Sequence, residues 1–246
     1  RVKGFTDQVN AKYPDVKIVD TQYGGGDQLK STDLAKAIIQ ANPNLKGFFG
    51  ANEGSIIGVL NAVKELGLKG AMIYSHIQGE YLDNQKFRHV FEKAEELDVP
   101  IYIHPKGPPP NMIGPYLDYN LWAASWGFAA DVGIHVMRLI SSGLFDKCPR
   151  LKIILGHAGE GLPYWLSRIG MGRGRSQRQG GASSQVQTGT VPPSPPGTKI
   201  PRALCKKSPG EYVKENFYMT TSGMFWEPVL MFLHTVLGPD RILFAV

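Results

Sequence analysis

The chain has 246 residues, 42% of them hydrophobic and 20% charged, enough for one large α/β domain or two small ones. No apolar run approaches the roughly 20 residues that cross a bilayer, so no membrane partner is expected. The net charge of +6 does not describe a folded basic face: seven basic residues and no acidic one fall between Met171 and Gly210, leaving the rest of the chain at −1. No specific nucleic-acid partner is expected either. Cys148 and Cys205 form no C-x-x-C pair, which indicates neither a zinc cluster nor a redox motif. The sequence begins at Arg1 without a charged-then-apolar leader.

In chain order, "RVKGFTDQVNAKY" predicts a helix ending near Pro14, and "VKIVDTQY" a strand running into the turn "GGGD". "STDLAKAIIQA" predicts a helix with Leu34, Ile38 and Ile39 on one face. "LKGFFGAN" predicts a second buried strand. "SIIGVLNAVKEL" predicts a helix with Ile56, Val59, Leu60, Val63 and Leu66 inward, ended by Gly67. "GAMIYS" predicts a strand, and "QKFRHVFEKAEEL" an amphipathic helix burying Phe87, Val90, Phe91, Ala94 and Leu97. "VPIYIH" predicts a strand before the Pro-rich loop "PKGPPPNMIGP". A long helix is expected from Leu121 to Ser141, then the strand "LKIILGH" and a short helix "GLPYWLSRIG". The strand "NFYMTTS", the helix "EPVLMFLHTVLG" and the strand "RILFAV" complete the chain. Seven strands separated by helices imply parallel βα units. Residues 171–209, rich in Gly, Ser, Gln and Pro, read as a disordered insertion.

Two histidines close strands: His104 ends "IYIH" and His157 ends "IILGH". Strand carboxyl ends carry the active site in parallel barrels, and paired imidazoles there assemble a metal or acid–base site. The alternative is that each only hydrogen-bonds within its loop. Glu160, three residues past His157, is placed to orient it. Gly156, Gly159 and Gly161 permit a tight turn between strand and helix. Arg168, eleven residues past His157, offers a guanidinium for a substrate carboxylate, or a surface salt bridge. His89, His135 and His234 fall inside helices and read as packing or surface residues. His76 opens a loop after a strand and faces the same mouth only on a weaker reading. Asp27 and Asn52 sit at βα junctions, where each binds a polar ligand or caps the next helix.

The run "SHIQGEYLD…ELDVPIYIHP…LFDKCPRLKIILGHAGEGLPYWLSRI…ENFYMTTSG…DRILFAV" resembles the metal-dependent aromatic-acid decarboxylases of the amidohydrolase superfamily, the γ-resorcylate and dihydroxybenzoate type. The resemblance runs from about Val63 to Val246, interrupted by the 171–209 tract. It implies a (β/α)₈ barrel, a divalent metal (zinc or manganese), an aromatic carboxylic acid as substrate, a homo-oligomer and a cytoplasmic location. It implies that His104 binds metal, that His157 and Glu160 are catalytic, and that Arg168 holds substrate. In that family the metal chelates the carboxylate and ortho-hydroxyl, an acid protonates the ring carbon, and carbon dioxide leaves. The acidic-x-His pair of the family's first strand has no counterpart, since no histidine precedes His76. The family's last-strand aspartate would fall one residue past Val246. Of four expected protein ligands His104 alone is matched, which implies a weakly bound or absent metal and an impaired carboxy-lyase.

Residues 1 to about 70 resemble something else: part of the second lobe of periplasmic sugar-binding proteins of the ribose-binding type. That resemblance implies a sugar-contacting role for Asn52 in "GAN" and a periplasmic location. Both resemblances share a helix ending in a form of "VKELGLKG", so they meet somewhere in Asn61–Gly70. The expected organisation is a sugar-binding-type α/β fragment over 1–66 joined to an incomplete TIM-barrel-like amidohydrolase region over 67–246. The alternatives to a decarboxylase are a sugar-binding module or a chimeric chain without native function.

Overall fold

The computed structural model describes residues 2–12, 15–45, 50, 53–66, 69–169 and 204–245. Three helices come first: α1 (Val2–Lys12), α2 (Gln28–Ala41) and α3 (Glu53–Leu66). The C-terminal end of α3 leads to β1 (Ala71–Tyr74) and a small hairpin, β2 (His76–Ile77) with β3 (Glu80–Tyr81). Next come α4 (Arg88–Glu96), β4 (Ile101–His104), α5 (Gly114–Leu117), α6 (Gly127–Ser141), α7 (Leu144–Lys147) and β5 (Ile153–Leu155). After the 170–203 stretch follow α8 (Pro209–Asn216), β6 (Phe217–Thr220), α9 (Glu227–Leu237) and β7 (Ile242–Leu243).

Five strands form one parallel sheet in the order β1-β4-β5-β6-β7. Sequential order with helical crossovers is the βα arrangement expected of a barrel arc. β1 and β7 each have one paired neighbour, so the sheet formed by the described residues is open. Alternate strand residues are fully buried: Ile101 and Ile103 in β4, Ile153 and Leu155 in β5, Phe217 and Met219 in β6. These face the helices, packing with Phe91, Val132, Val136, Leu139 and Tyr212 in the main core. The opposite face carries Tyr74, Tyr102, His104, Ile154 and Thr220, and this is the face a closed barrel would enclose.

Two segments depart from the sequence expectation. Val16–Tyr23 forms no strand, and Val16, Val19 and Tyr23 are 55%, 43% and 70% exposed. β-rich composition makes a strand only where a neighbour completes the ladder, and among the described residues none pairs with this segment. The second expected strand, "LKGFFGAN", lies largely outside the described residues. The long helix begins at Gly127, not Leu121. Residues 121–126 turn instead, with the Gly127 N–H donating to the Leu121 carbonyl at 2.7 Å.

The stripe of α2 also differs from expectation. Ser31, Thr32 and Ala35 are buried, whereas Leu34, Ile38 and Ile39 are only half-buried. The cause is the close approach of α3. A Cβ at Gly58 would sit 2.5 Å from the Ser31 Cβ and 2.7 Å from the Thr32 amide nitrogen. Ala35, Val59 and Ala62 form a small cluster between these helices, and Val99 and Ile57 tie the pair to the main core. Of the stripe expected in α3, Val59 is buried, while Ile56, Leu60, Val63 and Leu66 lie outside the described side chains. Gly58→Val is expected to cost about 2 kcal/mol by overpacking against backbone that cannot yield. Urea unfolding measures this, and an unchanged midpoint would show that α2 does not pack on α3.

Candidate active site

The strand register sets one row of residues across the carboxyl ends of the sheet. Tyr74 pairs with His104, Ile103 with Leu155, Leu155 with Met219 and Thr220 with Leu243. His104 therefore stands level with Gly156, one residue before His157. The two imidazoles come together, with ring centroids 6.1 Å apart and the rings nearly perpendicular. Tyr74 meets the other side of His104 edge-on at 5.9 Å. The Lys106 ammonium lies 5.7 Å from the Tyr74 ring centroid, placing a cation at this mouth.

His157 opens a loop of unusual backbone. His157, Ala158, Gly159, Glu160 and Gly161 all have positive φ, at 51°, 56°, 73°, 52° and 79°. Three of these are not glycine, and left-handed conformations of such residues are costly and concentrate at functional sites. The loop is closed by the Gly159 N–H on the Gly156 carbonyl (2.8 Å) and the Glu160 N–H on the His157 carbonyl (3.0 Å). Its effect is to fold Glu160 back so that its Oε1 bonds the His157 Nδ1. A carboxylate at Nδ1 fixes the ring and directs Nε2 outward as a proton acceptor or donor. The turn at Gly223 abuts this ring: a Cβ there would lie 2.9 Å from the His157 Cδ2.

His104 is oriented differently. Its Nδ1 lies 2.8 Å from the Pro105 carbonyl, so Nδ1 carries the proton and Nε2 keeps a lone pair. Burial, together with nearby His157, pushes the His104 pKa below the ordinary imidazole range, against the Pro105 carbonyl and Glu160, which raise it. Behind it Tyr102 reaches Thr220 (3.4 Å), which bonds Ser222 (2.7 Å).

A second polar group lies beside this site. Asp131, 1% exposed on α6, accepts hydrogen bonds from Ser75, directly after β1, and from Tyr81 in β3 at 2.9 Å. Burial raises its pKa, opposed by those two bonds, by His76 and by the backbone N–H of Lys106. Burial first, and then the negative Asp131, pushes the Tyr81 phenol far up. His135, one turn along α6, is fully buried and stacks on Tyr81 at 5.6 Å. This cluster escaped the sequence reading. Its signal was present as an acid and an imidazole, Asp131 and His135, at i and i+4 on the buried stripe of an otherwise apolar helix.

Arg168 stands on the helical turn 166–169, exposed, and no hydrogen bond joins it to His157 or Glu160. Asn52 lies outside the described residues. Asp27 caps α2, accepting the Lys30 N–H at 2.7 Å. His76 belongs to the buried β2 rather than to an open loop. Among the described residues no group of three or more His, Cys, Asp or Glu side chains could hold a metal ion. His104 offers one lone pair and His157 is engaged by Glu160, so the described donors do not make a metal-binding set by themselves.

Parallel βα units with imidazoles gathered over their strand ends define the class of protein. The chain belongs to the amidohydrolase family, whose sequence pattern (Amidohydrolase) matches residues 19–246. It is 38% identical over 191 residues to γ-resorcylate decarboxylase of Polaromonas sp., covering 74% of this chain and 52% of that protein. The chain thus spans about half the length of the curated relatives it matches. It is similar in structure to a dihydroxybenzoic acid decarboxylase from Polaromonas sp. JS666 with bound manganese and the inhibitor 2-nitroresorcinol. That likeness has a TM-score of 0.67 at 32% identity over 89% of this chain and 63% of the other. A further relative is the D-allose-binding periplasmic protein of Escherichia coli, 34% identical over 62 residues, covering 25% of this chain and 20% of that protein. No helix among the described residues is long and apolar enough to cross a membrane.

Proposed function

We propose that the chain carries the acid–base part of a cytoplasmic, metal-dependent carboxy-lyase for hydroxylated aromatic acids, with an incomplete metal-holding part. The observation that supports this best is the His157–Glu160 pair, strained into place beside His104 at the strand ends. His157 would exchange a proton with the substrate at its outward Nε2. Proton arrival at the ring carbon, with loss of carbon dioxide, restores the aromatic ring. Tyr74 and Tyr102 on the open face suit an aromatic ring, and cationic Lys106 suits a carboxylate. Arg168, exposed on the turn 166–169, would hold the substrate carboxylate.

A divalent ion, when bound, would neutralise the carboxylate and ortho-hydroxyl of the substrate. Among the described residues zinc or manganese would rest on His104 alone, and one imidazole holds such ions weakly, above about 1 mM. Manganese(II) titrated into the chain tests the assignment, because its paramagnetism broadens nearby proton signals. Those of His104 and His157 are expected to broaden first, without saturating below about 1 mM. Broadening centred elsewhere, or tight saturation, would contradict it.

The second reading rests on the D-allose-binding relative: residues 1–66 derive from a sugar-binding lobe, the chain is a chimera with its seam in Asn61–Gly70, and 171–209 is an insertion. Calorimetry with D-allose and ribose is expected to show no binding, since a fragment of one lobe lacks the cleft. Binding in the micromolar range would favour a periplasmic sugar-binding module instead. The exposed aromatic side chains Tyr164, Trp165 and Phe232 favour a homo-oligomer, which light scattering tests.

A further inference from the structure

We propose that Asp131 and His76 are positioning residues for His104: they clamp residues 105–107, and through the Pro105 carbonyl they decide which His104 nitrogen bears the proton. The inference deepens the reading of His104 as a site residue and rests on it.

The orientation of His104 is only as firm as the carbonyl that receives its Nδ1–H. That carbonyl belongs to Pro105, which has no N–H of its own to anchor it. The next two residues supply the anchors. The Lys106 backbone N–H faces the Asp131 carboxylate. The Gly107 carbonyl lies 2.9 Å from the His76 Nε2. A carbonyl only accepts, so Nε2 of His76 bears a proton. The Gly79 N–H donates to the His76 Nδ1 at 3.3 Å, so that nitrogen bears none. His76 is therefore held in the opposite tautomer to His104.

The clamp is itself fixed to the sheet and its neighbours. Asp131 is bonded by Ser75, adjoining β1, and by Tyr81 in β3. One carboxylate on α6 thus joins the end of β1, the β2–β3 hairpin and the loop leaving β4. A buried carboxylate is expensive where packing alone is needed, and here each donor it gathers leads to the mouth of the site. The result is a His104 with its Nε2 lone pair turned outward before any ligand arrives.

Long-range nitrogen–proton correlation spectra of the ¹⁵N-labelled full chain read tautomers directly. The six histidines are assigned by single His→Gln variants. Wild-type protein is expected to show His104 as Nδ1–H and His76 as Nε2–H. In His76→Ala and in Asp131→Asn the Nδ1–H to Nε2–H ratio of His104 is expected to fall about tenfold, the factor worth one hydrogen bond. His76→Gln keeps an N–H for the Gly107 carbonyl and should restore the ratio. Tyr81→Phe removes one bond to Asp131 but leaves the clamp, so it should lower the melting temperature without moving the ratio. An unchanged His104 in His76→Ala overturns the proposal, as does an equal change in Tyr81→Phe. If Asp131→Asn fails to fold, the His76→Ala and His76→Gln pair decides. Turnover enters none of these readouts, so failure of the decarboxylase reading and failure of the clamp are separately visible.

Discussion

Replacing His135 with phenylalanine is expected to stabilise the chain at pH 7 by about 1–3 kcal/mol and to remove most of its acid lability. His135 is wholly buried, and neither ring nitrogen has a hydrogen-bond partner among the described residues. A phenyl ring keeps the stacking on Tyr81 and removes the two desolvated nitrogens. Burial, with His76 and Arg138 nearby, pushes the His135 pKa down to about 3 from an ordinary 6.5. The folded value lies below the unfolded one, so protons bind the unfolded chain more tightly. The His135 contribution is therefore complete above about pH 6.5 and is lost as the pH falls towards 3, at up to about 1.4 kcal/mol per pH unit. His104, also lowered, adds in the same direction. Asp131 acts oppositely: its raised pKa favours the folded state at low pH and is lost as pH rises, a partial offset. Urea midpoints at pH 5, 6, 7 and 8 should fall in acid for the wild type and flatten for His135→Phe. A less stable variant with the same pH slope would contradict this.

The largest effect concerns His157. The variant is best read in a hybrid where residues 67–246 are joined to the first-strand and last-strand segments of the Polaromonas γ-resorcylate decarboxylase. In such a hybrid His157→Asn is expected to lower kcat by about 10²–10⁴-fold, the usual range for a positioned proton donor or acceptor. Asparagine holds a similar volume but cannot exchange the proton. Glu160→Gln should lose less, because the imidazole survives and only its carboxylate partner at Nδ1 is gone. KM should change little in His157→Asn if His157 acts on the transition state and not on binding. A kcat within threefold of the parent would remove His157 from the chemistry.

The strand-end site was legible because its information is local. "IYIH" and "IILGH" are short apolar runs that stop at a polar residue, and Glu160 lies within one turn of His157. The capping of α2 by Asp27 was readable for the same reason, as one of two open roles. What was not legible depends on distant partners. The β-rich Val16–Tyr23 segment reads as a strand, but among the described residues no neighbour pairs with it. The buried side of α2 is chosen by Gly58, 27 residues beyond Ser31 in sequence, and not by its larger apolar residues. Ser75 and Tyr81 meet Asp131 across 56 and 50 residues, a separation that no local pattern encodes. The positive φ of Ala158 belongs with these, since the glycines around it announce a tight turn but not a left-handed alanine within it.

We propose that the acid–base pair is present while the described residues supply an incomplete metal-holding set. Carbon dioxide release from 2,6- and 2,3-dihydroxybenzoate with added manganese or zinc, run on the 246-residue chain beside the hybrid, tests it most directly. No release by the chain above its own His157→Asn variant is expected, and clear release by the hybrid. Clear turnover by the chain alone, or none by a folded hybrid, would contradict it.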